Sequence, residues 1–510
     1  MKQKPDTSAF LRGSLLLTLS ALIAKVCGAF FRIPLTAFLG GTGMGYFSTA
    51  YGLFLPIYAV LVTGISTAVA QPTARFAGRG DLSGAQYVRS TARLLFLCTG
   101  LLGTAGALLG AKRFTLASAG DTAAYPAVLV MTPAVLLCSL TAVERGYREG
   151  LCDMRPTAVS QAVEALVRLL CGLWLCRAFM LHLPAVLAGC TPEAAGACGA
   201  VLGVTLGAAA GGFCVCLRNL GEPRLTGMLH PPRKAVLREI LTILIPVSLG
   251  ALVTDLTSLI DLVTVMRILP EDPAFIYGSF MGLAVTVFAL VPSLTNMLSR
   301  SVLPCVTQCH ARGDAAGAAL HARQVLLLTG LLCIPAGCGL FALPQEALAF
   351  LFAGRDAEIA ASWQALRYLT PGLICLCLGT PVFSLLQALG KPLLPVWLML
   401  PGLAVKLAGN LLLIPRLGID GAALSTSLCY AVILLPSLAV LRHILGERLG
   451  IGRLLASELF GGILCAAAAW VISGQLGFLP QRIAFLLAVL GGAAVYAFVL
   501  WLDKGFRDVL

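Results

Sequence analysis

Apolar residues run along this chain in long blocks. They do not follow the three-and-four stepping of a soluble amphipathic helix. "SLLLTLSALIAKVCGAF" near one end and "AFLLAVLGGAAVYAFVLWL" near the other are apolar on every side. Each approaches the roughly 20 residues that a helix needs to cross a bilayer. Similar blocks at 10–32, 46–72, 91–111, 123–147, 157–181, 195–218, 239–267, 274–300, 322–343, 361–389, 393–414, 419–444, 453–473 and 482–502 predict about fourteen spanning helices. The stretch "QEALAFLFAG" (345–354) is too short to span and reads as an interfacial segment. A β-barrel is not expected, because its alternating strands give a much weaker hydropathy signal than these blocks. The expected fold class is an all-α polytopic membrane protein.

Composition agrees. Of 510 residues, 58% are hydrophobic and only 12% are charged, where a soluble domain carries about 25%. The start, "MKQKPDTSAFLRGS", is basic, but the apolar stretch after it is long and interrupted by Lys25 and Arg32. That predicts a first spanning helix rather than a cleaved leader. Most of the 18 cysteines lie in apolar segments, among them Cys98, Cys138, Cys171, Cys333 and Cys338. They form no loop framework, so free thiols packed as small apolar residues are expected, with no metal site.

Charge sets the topology. With the N-terminus inside, most of the 36 basic residues fall in inner segments. The outer segments hold only Lys112, Arg113, Arg267, Arg355, Arg416 and Arg482. This positive-inside bias predicts a multi-pass cell-membrane protein with both termini cytoplasmic. It also accounts for most of the net charge of +13 without a nucleic-acid partner.

The chain repeats itself. "ARFAGRGDLSGA", with Arg79 and Asp81, returns as "QCHARGDAAGAA", with Arg312 and Asp314. "TPAVLLCSLTAVERGYREG" (132–150) returns as "TPGLICLCLGTPVFSLLQALG" (370–390), and "GACGAVLGVTLG" (196–207) as "GIDGAALSTSLC" (418–429). The anchors keep their order, and the Arg-Gly-Asp pair lies six spans apart. Two pseudo-symmetric six-helix lobes are expected, over 1–220 and 221–450, with two further helices in 451–510. An even number of helices per unit makes a parallel repeat. Both Arg-Gly-Asp loops should face the cytoplasm, which argues against an adhesion motif. They read as basic loops with a glycine turn, or as a gating contact between the halves.

This organisation resembles the multidrug/oligosaccharidyl-lipid/polysaccharide exporter superfamily. Within it the likeness is to the polysaccharide biosynthesis branch, around stage V sporulation protein B and the lipid II flippases. The residues that carry it are "AKVCGAFFRIPLTAFLGGTGMGYFSTAYGLFLPIYAVLVTGISTAVAQ" (24–71), "GYREGLCDMRPTAVSQAVEALVRLL" (146–170) and "GIDGAALSTSLCYAV" (418–432). The resemblance implies alternating access around a central cavity. It implies a lipid-linked sugar pyrophosphate as cargo, such as an undecaprenyl-pyrophosphate glycan or lipid II. It also implies a groove for the lipid tail on the last two helices. Cell-wall synthases are implied partners beside membrane lipids, and the chain is expected to act as a monomer. Lipid II flippases carry bases in the first span at comparable places, Lys25 standing here for the usual Arg. Those of the Gram-negative type also carry Arg in spans two and eight. Here span two has none, and span eight has none before Arg300.

Ionisable residues inside a membrane are costly, so they are the functional candidates. Lys25 and Arg32 are about two turns apart and share a face. Arg in a dry cavity can bind phosphate oxygens in a bidentate fashion, while the plainer reading is a pair of snorkelling anchors. Asp255 and Asp261 in "LVTDLTSLIDLVTV" lie about 120° apart on one helix. One is expected to pair with a base and the other to hold a coupling proton or Na⁺; structural pairing with Thr254, Thr257 or Ser258 is the alternative. Glu164 and Arg168 have the i,i+4 spacing of a local ion pair. Lys406 and Asn410 share a face that could line the C-lobe side of the cavity, with Gln387 a weaker candidate.

No GxSxG, HExxH or GxxxxGK[ST] occurs, so hydrolase, zincin and P-loop readings have no support. The cluster "GGTGMG" (40–45) is expected to be a flexible outer turn. No enzyme and no resident cofactor is expected, Na⁺ or H⁺ being candidate coupling ions. The function expected is flipping of a lipid-linked oligosaccharide in cell-wall or spore-cortex synthesis. The alternatives are a cation-coupled multidrug exporter of the same superfamily and a non-transporting scaffold for cell-wall synthases.

Overall fold

A computed structural model describes residues 7–119, 122–186, 191–220, 232–311, 314–391, 393–446, 452–476 and 479–502. The chain divides into two compact units, Met1–Val263 and Thr264–Leu510. The expected boundary at 220–221 falls at the edge of a stretch outside the described residues. The first unit holds α1 (Thr7–Leu61), α2 (Ile65–Gly78), α3 (Leu82–Ala119), α4 (Tyr125–Met131), α5 (Pro133–Gly150), α6 (Arg155–Val186), α7 (Pro192–Leu220) and most of α8 (Arg233–Ile268). The second holds α9 (Pro273–Ser279), a π-helical stretch (Phe280–Ala284), α10 (Val285–Ala311), α11 (Ala315–Ala342), α12 (Pro344–Leu351), α13 (Asp356–Ala388), α14 (Leu394–Leu417), α15 (Ile419–Leu445), α16 (Gly452–Gln475) and α17 (Gln481–Leu502). The protein is an all-α multi-pass membrane protein.

Among the described residues, 12 helices are long and apolar enough to cross a membrane. Two departures from the expected spans stand out. First, the turn between the first two expected spans is very tight. α1 as bounded here joins two helices at Gly40, whose φ of 64° and ψ of −171° are non-helical. The two parts fold back on each other: the Phe31 and Phe47 rings lie 6.3 Å apart, where sixteen residues of continuous helix would separate them by about 24 Å. The "GGTGMG" cluster is therefore a tight turn at Gly40 that passes at once into helix. Second, α6, 32 residues long with Arg155, Glu164, Arg168 and Arg177 along it, is not among the twelve.

Glycine decides how tightly α6 and α7 pack. Gly199, Gly203, Gly207 and Gly211 repeat every fourth residue on α7 and present backbone to backbone. A β-carbon at Gly207 would lie 2.8 Å from the Glu164 carbonyl, and one at Gly211 3.0 Å from the Ser160 carbonyl. Small residues at this spacing are the device by which membrane helices approach closely. The Ser160 hydroxyl then donates to the Gly211 carbonyl at 2.7 Å.

The repeated sequence anchors perform the same local task in each unit. Pro133 and Pro371 each lack the N–H that would bond the carbonyl four residues back. In both cases the preceding threonine supplies the donor. Thr132 Oγ1 donates to Leu129 O at 2.8 Å, and Thr370 Oγ1 to Arg367 O at 2.7 Å. The Arg-Gly-Asp repeats end in helix caps. Asp81 Oδ1 accepts from Gly84 N at 2.7 Å, and Asp314 Oδ1 accepts from Gly317 N at 2.8 Å. These are N-caps that satisfy orphan N–H groups at the starts of α3 and α11. A side chain at Gly84 would meet Asp81 Oδ2 at 2.5 Å, which explains the glycine three residues on. Arg79 is exposed beside Gly80, whose φ is +78°, and Arg312 lies outside the described residues.

Several bases expected as topology charges are instead structural. Glu144 of α5 is buried and accepts from Arg89 Nη2 at 2.6 Å and Nε at 2.9 Å, and from Arg93 Nε. The Arg89 guanidinium also stacks over Tyr147 at 4.8 Å. α3 and α5 are thereby clamped at one end.

Removing one partner of a buried pair costs about 3–5 kcal/mol, whereas exposed pairs contribute roughly 0–1 kcal/mol. Glu144→Ala is expected to lower the unfolding temperature of the detergent-solubilised protein strongly. Removal of the exposed Arg75–Glu239 contact (2.5 Å) by Arg75→Ala should leave it nearly unchanged. Asp314→Ala should cost about 1 kcal/mol, read as a smaller drop in the same melt.

Candidate functional site

The polar residues of the first unit converge from four helices. Arg32 lies on α1, one turn from Gly28. The position of a β-carbon on Gly28 is 3.8 Å from Arg168 Nη2 of α6. The α1 face that bears Gly28 and Arg32 therefore confronts Arg168. Lys25 belongs to the same helix, but its side chain lies outside those described. Arg168 Nε is buried and has no hydrogen-bond partner. Tyr51, a further α1 residue, sits within electrostatic range of both Arg168 and Arg32. Two guanidinium groups and a phenol thus collect between α1 and α6.

The i,i+4 pair expected between Glu164 and Arg168 is not formed. Glu164 Oε2 accepts from Arg145 Nη2 of α5 at 2.7 Å instead. Arg145 is held in turn by Ser160 Oγ, at 3.1 Å from Nε and 2.8 Å from Nη2. The close α6–α7 packing and the neighbouring α5 bring Arg145 across to Glu164. An inter-helix partner wins over a local one because it satisfies both groups in the packed interior, and it leaves the Arg168 charge uncompensated by Glu164.

A ladder of rings runs along α1 beside this cluster. Phe47 and Tyr51 lie 4.8 Å apart, Tyr51 and Phe54 6.2 Å, and Phe54 and Tyr58 5.3 Å. Tyr58 is within electrostatic range of Glu164, Arg145 and Asp255. Asp255 is half-buried and Asp261 is buried, as their different faces of α8 require. The hydroxyls of Thr254 and Thr257 donate to carbonyls of their own helix, Gly250 O at 3.2 Å and Thr254 O at 2.6 Å. The site is therefore amphoteric, with arginines toward one end and Asp255 toward the other.

The second unit treats its candidates differently. Lys406 and Asn410 do share a face of α14, but that face is fully buried, both residues being 0% exposed. Lys406 Nζ donates to Ala422 O at 3.0 Å, to Ser425 Oγ at 3.2 Å and to Thr426 Oγ1. Asn410 Nδ2 donates to Thr264 Oγ1 at 2.7 Å, and its Oδ1 accepts from Ser425 Oγ. This corrects the expectation that the pair lines an open cavity. The ammonium is consumed by oxygens of α15, which comes close because Gly409 faces Ser425. Gln387 is exposed one residue before the end of α13, and its carbonyl accepts from Gly390 N at 3.1 Å. Its backbone thus closes the helix end, while its side chain is exposed.

Sequence reasoning missed Tyr51, Tyr58 and Arg145. The seven-residue spacing of the tyrosines places them on one helix face. Arg145 was hidden because it reads as a loop base at the end of its span.

Known proteins share this architecture. The family described as Lipid II flippase MurJ matches residues 54–485. Lipid II flippase MurJ of Bacillus subtilis (strain 168) is 24% identical over 96% of this chain and 95% of its own. Stage V sporulation protein B of the same organism is 26% identical over 31% of each chain. The solved structure of Lipid II flippase MurJ in an inward closed conformation superposes with a TM-score of 0.72 at 15% identity, covering 98% of this chain and 99% of that one. An inward-facing multidrug resistance MATE family transporter of the MOP superfamily gives 0.66 at 14% identity, covering 85% and 99%. The structural likenesses establish the fold, and the match of the family over most of the sequence establishes kinship: the chain belongs to the Lipid II flippase MurJ family.

Proposed function

We propose that this protein is a flippase that moves a lipid-linked oligosaccharide across the cell membrane, with an undecaprenyl-pyrophosphate glycan such as lipid II as cargo. Family membership carries this reading, and the full-length relative has the same named activity. The chemistry of the first unit supports it. A pyrophosphate leaving water needs charge-assisted donors, and guanidinium forks supply them. Arg32 and Arg168 lie on facing helices, with Tyr51 within electrostatic range of both as a further donor.

In this reading Arg32 and Arg168 hold the pyrophosphate, and Lys25, on the same α1 face, adds charge. Arg145 keeps Glu164 from repelling it. Lys406 and Asn410 hold α14 to α15 instead of touching cargo. Alternating access moves the anion between leaflets, the membrane potential or an ion (Na⁺ or H⁺) supplying the drive. Both termini lie in the cytoplasm, and the protein works as a monomer alongside cell-wall synthases.

A second reading, export of cationic drugs, draws on the MATE-like fold and on Asp255 beside Tyr58. A cationic drug would seek the carboxylates and be opposed by the arginines.

The deciding experiment is leaflet transfer of a fluorescent undecaprenyl-pyrophosphate glycan in proteoliposomes. Arg168→Ala should slow transfer at least about tenfold, since a hydrogen bond to a charged group is worth roughly 1.5–3 kcal/mol. Arg168→Lys should recover only part of it, because the bidentate fork is lost. Equal transfer by wild type and Arg168→Ala would sink the anion-site assignment, and efflux of a cationic dye with no glycan transfer would establish the second reading. Arg145→Ala should also slow transfer, and adding Glu164→Gln should restore part of the rate. A double variant slower than Arg145→Ala alone would contradict the shielding role.

A further inference from the structure

One acidic side chain of the second unit stands outside the site described above. Glu458 lies on α16, within the stretch Leu455–Gln475 that is apolar enough to cross a membrane. It is 0% exposed, and neither carboxyl oxygen has a hydrogen-bond partner. Its carboxyl is seated against Gly330 of α11. A β-carbon at Gly330 would collide with Glu458 Oε2, so the glycine makes the notch that receives the group. On α17 the Tyr496 hydroxyl is also buried without a partner and lies within electrostatic range of Glu458. Two orphan polar groups on the last two helices thus sit together, one of them in a notch of α11.

An ionised carboxylate in such a place would have no hydrogen bond and no cation beside it, an arrangement that folded proteins avoid. The titratable groups around it do not change this. Cys333 of α11 lies within electrostatic range of Glu458, and Cys338 of α11 and Cys465 of α16 lie near Tyr496. α11 carries one Lys or Arg, Arg323, about two turns before Gly330, and His321 lies further off. α17 carries only Arg482, near its opposite end, and on α16 itself the Arg453 side chain lies outside those described. Among the described residues no group of three His, Cys, Asp or Glu could hold a metal ion. The ligand that a carboxyl and a phenol can share with no further oxygens is a proton.

We propose that Glu458 is a proton-binding site that latches α16 to α11. The neutral acid docks in the Gly330 notch beside Tyr496. Loss of the proton requires the carboxylate to leave the notch for water or a donor, which loosens α16 from α11. Protonation and the packing of the C-terminal helix pair are then one equilibrium, biased by pH. The site itself does not depend on the flippase reading; only its effect on transport does.

The test is an infrared titration of the full-length protein in proteoliposomes. Wild type should show a carboxylic-acid carbonyl band at neutral pH that Glu458→Gln lacks, and raising the pH should convert it to carboxylate. Gly330→Ala, which fills the notch and expels the group, should convert at lower pH. Identical wild-type and Glu458→Gln spectra in the acid region at neutral pH would overturn the proposal. So would a Gly330→Ala band that titrates with wild type, and this comparison decides even if the glutamine variant fails to insert. Leaflet transfer is followed in the same vesicles, and its pH dependence should flatten in Glu458→Gln. Failure of the wild type to transfer cargo would count against the flippase reading and leave the infrared result standing.

Discussion

Inside a bilayer a free carbonyl or a bare charge has no water to turn to, and this structure is organised around that constraint. Where Pro133 and Pro371 break the helical ladder, Thr132 and Thr370 close it again. Beside Pro371, Ser427 of α15 accepts from Gly372 N at 3.0 Å and donates to Tyr368 O at 2.6 Å. Where α1 ends at the Gly64 bend, Ser248 of α8 donates to the stranded Thr63 carbonyl at 2.9 Å. Each of these bends, permitted by proline or glycine, is paired with a hydroxyl that satisfies the backbone it frees. Ser427 and Ser248 also tie neighbouring helices together.

Charges obey the same constraint with larger stakes. Glu144 draws in Arg89 and Arg93, and Lys406 draws in three oxygens of α15. Such groups hold helices together. The Arg168 guanidinium, facing α1 across Gly28 with its Nε unbonded, is not committed in this way. The glycine stripe of α7 matters here because it fixes α6 in close register and turns Glu164 toward Arg145. A bulkier α7 would push α6 outward and allow the local Glu164–Arg168 pair to form. The electrostatic character of the site therefore rests on helix packing at some distance from it.

The duplication was legible because its anchors are chemical necessities of each copy. Thr-Pro repeats because the carbonyl that a proline leaves unbonded needs a donor. Asp-x-x-Gly repeats because a helix start needs a cap with room for its carboxylate. Lys406 and Asn410 were correctly placed on one helix face, but nothing in their spacing says whether that face looks into a cavity or onto α15. Glu458 could be seen as an ionisable residue within an apolar span. Its lack of partners could not, since that depends on Gly330 and Tyr496, which are distant in sequence.

By itself the sequence determined the membrane class, the helical architecture, the repeated anchors and the superfamily likeness. All of these follow from local hydropathy, charge bias and turn chemistry, which a linear chain displays. The tertiary structure alone decided which charges are paired. Glu164 takes Arg145 over Arg168, and Lys406 takes oxygens of α15. The physical reason is that a buried charge chooses its partner by distance in space and by the donors left over, and side chains that meet across helices are far apart in sequence.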